Sequence, residues 1–229
     1  MLEVINLTKV YNGEKVLDNI NFTVEKGETF CLLGLNGVGK TTLIKCILSL
    51  LKMDGIIKLD GEINNVSNTM KKIGYLPENF CPNQVLTGIE FLNFFNVFTS
   101  SELSLICDLL YFDKQLLNKK ICQYSKGSRQ KLGLLSIFLN KDTNLFILDE
   151  PLNNLDQLAI LSFEKLLKNK KTEQSIFFTT HIINIANICD KIAILDNGKI
   201  IFLDAPSKLK EIYNENNLEK AFLKSIIKN

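Results

Sequence analysis

A glycine-rich segment that runs into a lysine and two threonines constrains this chain more than any other feature. Residues 34–42 read GLNGVGKTT and fit the pattern G-x-x-x-x-G-K-[ST]. A short apolar run, residues 29–33, precedes the segment, and apolar residues recur at helical spacing through residue 51 after it. In a strand, loop and helix of this kind, glycines let successive backbone N–H groups point at one phosphate group. The sequence therefore predicts a phosphate-binding loop rather than a glycine turn without a ligand.

The side chains at the end of this loop suit a nucleotide bound with a magnesium ion. We expect Lys40 to reach the β- and γ-phosphates and Thr41 to ligate Mg²⁺. The helix that begins at Lys40 adds the positive end of its dipole. The residues expected to contact the nucleotide here are Asn36, Gly37, Val38, Gly39, Lys40, Thr41 and Thr42.

Two carboxylates and the single histidine follow two further apolar runs. Asp149 and Glu150 come directly after residues 145–148, and His181 comes after residues 175–180. Ligands of open parallel sheets bind at the carboxyl ends of the strands. We therefore expect Asp149 to hold Mg²⁺ through water and Glu150 to be the general base, or to orient the water, in attack on the γ-phosphate. The alternatives are a helix-capping role for Glu150 and a structural role for the histidine.

Strand and helix patterns alternate along most of the chain. Asn-Gly pairs at residues 12–13 and 197–198, each between runs of alternating polarity, predict two β-hairpins. Residues 89–98 and 103–111 have helical patterns, and the lysine-rich tail from Ser207 also reads as helix. The alternation predicts a mostly parallel sheet with helices on both faces, an antiparallel edge sheet and a separate helical lobe.

A further motif, YSKGSRQK, lies at residues 124–131. The phosphate loop, this motif, the acidic pair and the histidine follow one another along the chain in the order that one protein family shows. With this motif, essentially the whole sequence resembles the ATP-binding subunit of an ABC transporter. The resemblance implies an α/β fold of the P-loop NTPase (ABC ATPase) type, with a mostly parallel core sheet, an antiparallel β edge sheet and a helical subdomain. It implies a single domain, residues 1–229, in which 1–77 and 131–229 form the core with its β subdomain. Residues 78–130 then form the helical subdomain that carries the signature motif.

The resemblance also assigns roles to individual residues, with ATP and Mg²⁺ as cofactors. It implies that Glu150, His181 and Lys40 are catalytic, with the histidine as the switch residue of the family. Tyr11 takes the position that stacks on adenine, although an aromatic residue in an edge strand more often only packs. Further nucleotide contacts are implied for Val16, for Ser125 and Gly127 of the signature, and for Asp156 of the D-loop.

Two motifs depart from the commonest pattern of the family. Residues 124–128 read YSKGS where the family usually has LSGGQ, so Ser125 and Gly127 are kept and Lys126 adds a positive charge. Glu78 replaces a glutamine in the loop that joins the sheet to the helical subdomain. A carboxylate can ligate Mg²⁺ but cannot donate a hydrogen bond as an amide does, so we expect slow or tightly gated hydrolysis. The metal ligands expected on this basis are Thr41, Glu78 and Asp149.

The resemblance implies an ATPase that drives transport. Two ATP molecules would join two subunits head to tail, the signature of one meeting the phosphate loop of the other, and the second subunit would be a copy or a paralogue. The chain lacks the run of about 18 apolar residues that crosses a bilayer, so we expect a separate membrane permease to hold it. This arrangement predicts a peripheral protein at the cytoplasmic face of the cell membrane. Similarity to ABC-2-type exporters implies export of a drug, a peptide or a lipid.

The sequence argues against other classes of protein that contain a phosphate loop. The net charge is +2 and Arg129 is the single arginine, so no nucleic acid partner is expected. A P-loop kinase, the main alternative, usually surrounds the transferred group with several arginines. A chromosome-maintenance ATPase would need a long coiled coil between Lys40 and Ser125, and a ribosome-acting relative would carry two phosphate loops. The six cysteines form no C-x-x-C pair and are expected to be buried thiols in a reducing cytosol.

Overall fold

The computed structural model describes residues 1–95, 97–169 and 174–227, and in these ranges the chain forms ten strands and eight α-helices. The strands are β1 (Leu2–Tyr11), β2 (Glu14–Val24), β3 (Thr29–Leu33), β4 (Asp54–Leu59), β5 (Glu62–Ile63), β6 (Ile73–Leu76), β7 (Leu145–Leu148), β8 (Ser175–Thr180), β9 (Lys191–Asp196) and β10 (Lys199–Asp204). The helices are α1 (Lys40–Ile47), α2 (Val66–Lys72), α3 (Gly88–Phe95), α4 (Ser100–Leu109), α5 (Lys126–Phe138), α6 (Gln157–Lys168), α7 (Pro206–Ile212) and α8 (Leu218–Ile227). Short 3₁₀ helices lie at Lys114–Asn118, Ile121–Gln123 and Ile183–Ile188.

The first two strands form the antiparallel hairpin that the Asn-Gly pair predicts. Asn12 and Gly13 have φ angles of 50° and 87°, the left-handed backbone that a two-residue hairpin turn requires, and Tyr11 pairs with Glu14 across the turn. Strand β1 then pairs on its other side with β4, and β4 pairs with β5. The result is a four-stranded sheet in the order β2-β1-β4-β5, which confirms the predicted antiparallel edge sheet.

The second sheet has six strands in the order β10-β9-β3-β8-β7-β6. The five strands from β9 to β6 are parallel, while β10 is antiparallel to β9 across a turn at Asn197 and Gly198. Parallel neighbours require long crossover connections, which is why strands distant in sequence lie side by side. The mostly parallel sheet predicted from the alternation of elements is confirmed.

The parallel strands bury side chains on both faces of their sheet. On one face Phe30 and Phe177 pack on Phe22 of the antiparallel sheet, with ring centroids 5.1 and 5.8 Å from it. On the other face Phe178 packs edge-on against Phe163 of α6, with ring centroids 5.7 Å apart. Successive strand residues point to opposite faces, so the strands are held between two cores. The loops at the strand ends therefore rest on a rigid support.

Three helical predictions are wrong in their boundaries; the third, over residues 103–111, corresponds to α4, which spans Ser100–Leu109. Helix α1 ends at Ile47, before the last of its apolar residues, because Ser49 adopts a left-handed φ of 58°. The helix predicted over residues 89–98 ends at Phe95, and residue 96 lies outside the described residues. In the first case a backbone conformation after the helix, which hydrophobic spacing does not encode, sets the end.

The tail from Ser207, expected as helix, forms the two helices α7 and α8. Pro206 begins α7 at a position where its missing N–H has no intrahelical partner to lose, and Asn214 follows the end of α7 with a left-handed φ of 48°. Buried Leu218 and Phe222 hold α8 on the core. Within the described residues, no helix combines the length and the apolar character needed to cross a bilayer.

The cysteine side chains follow the expectation in part. All six are free thiols; Cys81 and Cys122 are exposed, whereas the other four are buried. Burial raises the pKa of the Cys31 thiol well above its usual range, which disfavours the reactive thiolate there.

Candidate active site

The carboxyl ends of four neighbouring parallel strands converge at one edge of the second sheet. In spatial order, β3 leads into Gly34, β8 into His181 and β7 into Asp149. The fourth strand, β6, leads through Pro77 into Glu78. The topology thereby brings together the phosphate loop, the histidine, the acidic pair and the glutamate, which lie far apart in the sequence.

The phosphate loop closes around its own lysine. Gly37 and Gly39 have φ angles of 82° and 112°, which residues with a Cβ rarely adopt. Lys40 Nζ donates to the carbonyl oxygen of Gly34 at 2.8 Å and to that of Leu35 at 3.2 Å. This tight curvature lets consecutive N–H groups face one anion, with the first turn of α1 behind them.

Glu150 connects this loop to the histidine. Its Oε1 lies 3.2 Å from Lys40 Nζ, and its Oε2 lies 2.9 Å from His181 Nδ1 and 3.3 Å from the His181 backbone N. The side chains of Lys40 and Glu150 are 7% and 6% exposed, whereas that of His181 is 48% exposed. Oε1 has no aligned hydrogen-bond partner among the described residues, so its contact with the lysine is a charge contact. The carboxylate therefore lies between a buried cation and an imidazole open to solvent.

The carboxylate of Asp149 is buried and oriented. Thr179 Oγ1 donates to Asp149 Oδ1 at 2.8 Å and accepts from the Glu150 backbone N at 2.9 Å. Burial raises the pKa of the Asp149 carboxyl, while the hydrogen bond from the Thr179 hydroxyl and the nearby Thr41 hydroxyl oppose that rise. Its second oxygen, Oδ2, is buried without a hydrogen-bond partner in the part of the chain that the structure describes. Such an oxygen is available to a cation or to a water molecule bound to one.

A cavity of about 410 Å³ opens beside these groups. Its lining comes from the phosphate loop and from two glutamates: Asn36, Gly37, Gly39, Lys40, Thr41, Thr42, Glu78 and Glu150. The described residues contain no cluster of three His, Cys, Asp or Glu side chains that would bind a metal by itself. Mg²⁺ does not need one, because it usually takes one or two carboxylates and completes its shell with water and substrate phosphates. The residues present therefore fit Mg²⁺ bound together with a nucleotide.

Glu78 borders this cavity and a second one of about 520 Å³ that extends to the first turns of α5. Its Oε1 accepts a hydrogen bond from Asn153 Nδ2 at 3.3 Å. An amide thus stands beside the carboxylate that replaces the glutamine of the family, although it comes from a different loop.

The signature residues lie at the N-terminus of α5. Ser125 caps the helix, its Oγ accepting from the Ser128 backbone N at 3.0 Å. A Cβ on Gly127 would lie 2.8 Å from the carbonyl oxygen of Asn154, so this turn packs directly on the loop after β7. Among the described residues that line the cavity at the phosphate loop, neither signature residue is found. Within the chain, the signature turn thus contacts the loop after β7 and does not line this cavity.

Both carboxylate oxygens of Asp156 are engaged inside the chain. Oδ1 accepts from the Ala159 backbone N at 2.8 Å as the N-cap of α6, and Oδ2 lies 3.1 Å from Lys131 Nζ. The buried Lys131 also donates to the carbonyl oxygen of Tyr111 at 3.2 Å. The hydrogen bonds from Ala159 and Lys131 hold the pKa of the Asp156 carboxyl below its usual value. These contacts tie α5 to α6, and the nucleotide contact of Asp156 stays a prediction.

The two residues expected to lie beside the nucleotide base come from the first hairpin. A Cβ on Gly39 would lie 3.3 Å from Val16, so β2 packs directly on the phosphate loop. Tyr11 is 41% exposed, with Lys9 Nζ 4.7 Å from the centroid of its ring. An exposed aromatic ring can stack on a planar ligand. The stacking of Tyr11 on adenine stays a prediction.

Several residues of this region have roles that the sequence does not predict. Thr179 joins the two carboxylates, and Asn153 bonds Glu78. Gln130, 3% exposed, donates to the Pro151 carbonyl oxygen at 3.0 Å and so holds α5 on the loop after β7. The one signal in the sequence is the pair of hydroxyls at residues 179–180, which follows the apolar residues 176–178.

Comparisons with known proteins find relatives along nearly the whole chain. Residues 17–153 match the ABC transporter family. The chain is 33% identical over 219 residues to an uncharacterised ABC transporter ATP-binding protein of Synechocystis, and the match covers 88% of this chain and 62% of that protein. It is 30% identical over 226 residues to a lantibiotic transport ATP-binding protein of Streptococcus pyogenes, over 93% of this chain and 96% of the relative.

A solved structure, described as that of the ATP-binding subunit of an ABC transporter, has the same fold. Its TM-score is 0.83 at 27% identity, and the match covers 98% of this chain and 99% of the other. The chain thus spans less than two thirds of the Synechocystis relative but nearly all of this structure. The family match includes the phosphate loop, the signature and the acidic pair. The chain belongs to the ATP-binding proteins of the ABC transporter family.

Proposed function

We propose that this chain is the ATP-binding and hydrolysing subunit of a membrane transporter, working as one of a pair. The observation that carries the proposal is the contact of Glu150 with both Lys40 and His181 at the cavity of the phosphate loop. A phosphate-binding cation, a general base and an orienting group are the parts that nucleotide hydrolysis needs within one site. Lys40 of the phosphate loop, Glu150 after β7 and His181 after β8 supply the three.

In the proposed reaction, Lys40 moves from Glu150 to the β- and γ-phosphates of ATP. Glu150, released from the lysine, accepts a proton from the attacking water, while His181 Nδ1–H donates to Oε2 and keeps the carboxylate oriented. The new bond from the water oxygen to the γ-phosphorus forms as the bond to the β,γ-bridging oxygen breaks, which yields ADP and inorganic phosphate. Mg²⁺, held by Thr41, Asp149 and Glu78, would neutralise the charge of the phosphates.

The signature completes the site of a second subunit. The N-terminus of α5, capped by Ser125, favours an anion, and Gly127 lets the turn pack closely on the loop after β7. Neither lines the cavity of the chain's own phosphate loop, which supports a head-to-tail pair with two ATP sites. The second subunit is a copy or a paralogue of this chain. Further nucleotide contacts are proposed for Tyr11, Val16 and Asp156.

The transport partner in this proposal is a separate permease, with the subunit at the cytoplasmic face of the membrane. The relative from Streptococcus pyogenes is described as a lantibiotic transport protein, which supports export of a peptide, a drug or a lipid. The helical subdomain, residues 78–130, is the proposed docking side. Phe94 and Phe95 of α3, 77% and 57% exposed, give this side an apolar surface.

The release of inorganic phosphate from ATP by the purified full-length chain tests the proposal. We expect Mg²⁺-dependent release without any phosphate acceptor, which separates an ATPase from a kinase. Glu150→Gln should lower the rate by about 10²–10⁴-fold, because it removes the general base. Glu164 of α6 is half-buried and lies outside the site, so Glu164→Gln is the matched control and should leave the rate unchanged. Release that is unaffected by Glu150→Gln would overturn the proposed role.

A further inference from the structure

The hydroxyl of Thr179 stands where two strands stop pairing through their backbones. In the parallel pair β7 and β8, Leu148 lies opposite Phe178, and one step further Asp149 lies beside Thr179. The Asp149 backbone N donates to Leu76 of β6 at 2.8 Å, on the other side of β7. The next backbone N, that of Glu150, has left the ladder and donates to the Thr179 hydroxyl at 2.9 Å instead.

The direction of both hydrogen bonds at this hydroxyl is fixed by chemistry. A backbone N–H can only donate, so Thr179 Oγ1 must accept from Glu150. Its single proton is then free to point at Asp149 Oδ1, which lies 2.8 Å away. Thr179 has no exposed surface, so water does not compete for either bond.

The two bonds have different consequences for the two acids. The bond to Oδ1 leaves Oδ2 of Asp149 as the oxygen without a partner in the described part of the chain. The bond from the Glu150 backbone fixes a residue whose φ is 48°, a conformation that non-glycine residues adopt rarely and that needs support from its surroundings. One side chain thus orients a candidate metal-binding carboxylate and the backbone of the candidate general base.

We propose that Thr179 is a positioning residue that couples the metal-binding carboxylate of Asp149 to the general base Glu150. The inference rests on the proposed function and deepens it. Groups hydrogen-bonded to ligating carboxylates affect metal affinity by about 10–100-fold. Loss of the hydroxyl should therefore weaken nucleotide binding in the presence of Mg²⁺ and leave metal-free binding as it was.

The neighbouring residue provides a matched control. Thr180 is equally buried, but its Oγ1 accepts from the Ile182 backbone N at 3.0 Å and not from the acidic pair. Thr→Val at either position removes one buried hydroxyl and keeps the shape of the side chain. A difference between the two variants therefore reports on the contacts with Asp149 and Glu150.

The test is the affinity of the full-length chain for the non-hydrolysable analogue β,γ-imido-ATP, measured with saturating Mg²⁺ and with EDTA. The ratio of the two dissociation constants, EDTA over Mg²⁺, defines the metal enhancement. We expect Thr179→Val to lower this enhancement by about tenfold or more. Thr179→Ser, which keeps a hydroxyl at this position, and Thr180→Val should both retain the wild-type enhancement. Urea unfolding of each variant shows that the comparison is made between folded proteins.

Three outcomes would overturn the inference: wild-type enhancement in Thr179→Val, equal loss in Thr179→Ser, or equal loss in Thr180→Val. A wild-type chain that binds the analogue without any metal enhancement would instead contradict the proposed function itself. The two failures are therefore distinguishable.

Discussion

The strand ends around the phosphate loop and the N-terminus of α5 differ in how far the chain itself uses their polar groups. At the strand ends, Lys40, Glu150 and Asp149 are buried, and most of their charged atoms already face a partner within the chain. At the start of α5, Ser125 and Lys126 are exposed, although the motif there is as distinctive in sequence. Both regions are expected to touch the same phosphate groups, yet only the first is enclosed by this chain.

This difference shows what each half of the site needs. Buried charges must be paired inside the subunit before any ligand arrives, because an unpaired buried charge strongly destabilises a fold. At a helix N-terminus on the surface, water hydrogen-bonds to the free N–H groups until an anion binds there. The strand ends are therefore a preassembled half, and in the proposed pair the signature completes the site of another subunit.

Of the three tests of this comparison, the one with the largest expected effect changes the preassembled half. Lys40→Ala removes the cation that contacts Glu150 at 3.2 Å and that we expect to bind the phosphates. Loss of one preorganised charge-stabilising donor typically costs about 10²–10³-fold in rate, and we expect at least this loss in ATP hydrolysis. Phosphate release measures it, with Lys45→Ala, an exposed lysine of the same helix, as control. Equal losses in the two variants would show that the effect is not specific to the site.

A variant of the signature, with a smaller expected effect, tests whether the two halves act separately. Gly127→Ala places a Cβ 2.8 Å from the backbone oxygen of Asn154, so the first turn of α5 or the facing loop must shift. Overpacking of this kind costs about 1–3 kcal/mol. We expect ATP-dependent association to weaken while the affinity of each chain for β,γ-imido-ATP stays at the wild-type value. Ser136→Ala, whose hydroxyl bonds within the middle of α5, should change neither quantity. Reduced affinity for the analogue would contradict the separation.

The smallest expected effect concerns the ion pair that links α5 to the start of α6. Lys131 and Asp156 are 3.1 Å apart, but the Asp156 side chain is 60% exposed, so solvent screens the pair and we expect a coupling of about 0.5 kcal/mol. A double-mutant cycle of Lys131→Met and Asp156→Asn in urea unfolding measures it. Because the pKa of Asp156 is lowered in the fold, its contribution is present at neutral pH and is lost as pH falls below about 4. A coupling that does not decrease as the pH is lowered from neutral through about 4 would contradict this account.

Much of the fold and the inner site follows from sequence because the signals are local. The phosphate loop, the acidic pair after β7 and the two Asn-Gly turns each depend on neighbouring residues, and the structure has each element where the pattern places it. The parallel sheet follows from the alternation of such elements.

The remaining features depend on contacts between distant residues. The role of Thr179 arises from the register of β7 against β8, which no local pattern encodes. The engagement of Asp156 by Lys131 requires α5 and α6 to pack side by side. The end of α1 depends on the left-handed backbone of Ser49, a residue that adopts this conformation less readily than glycine.

The central claim is that ATP joins two copies of the preassembled half through the signature. The most direct measurement is the mass of Glu150→Gln in solution, by light scattering on a sizing column, with and without Mg²⁺ and ATP. We predict 26.0 kDa without nucleotide and twice that mass with it, and a return to the monomer mass when Gly127→Ala is added. A protein that binds ATP and remains a monomer would contradict pairing between two copies of this chain, and a dimer without nucleotide would contradict the role of ATP in joining them.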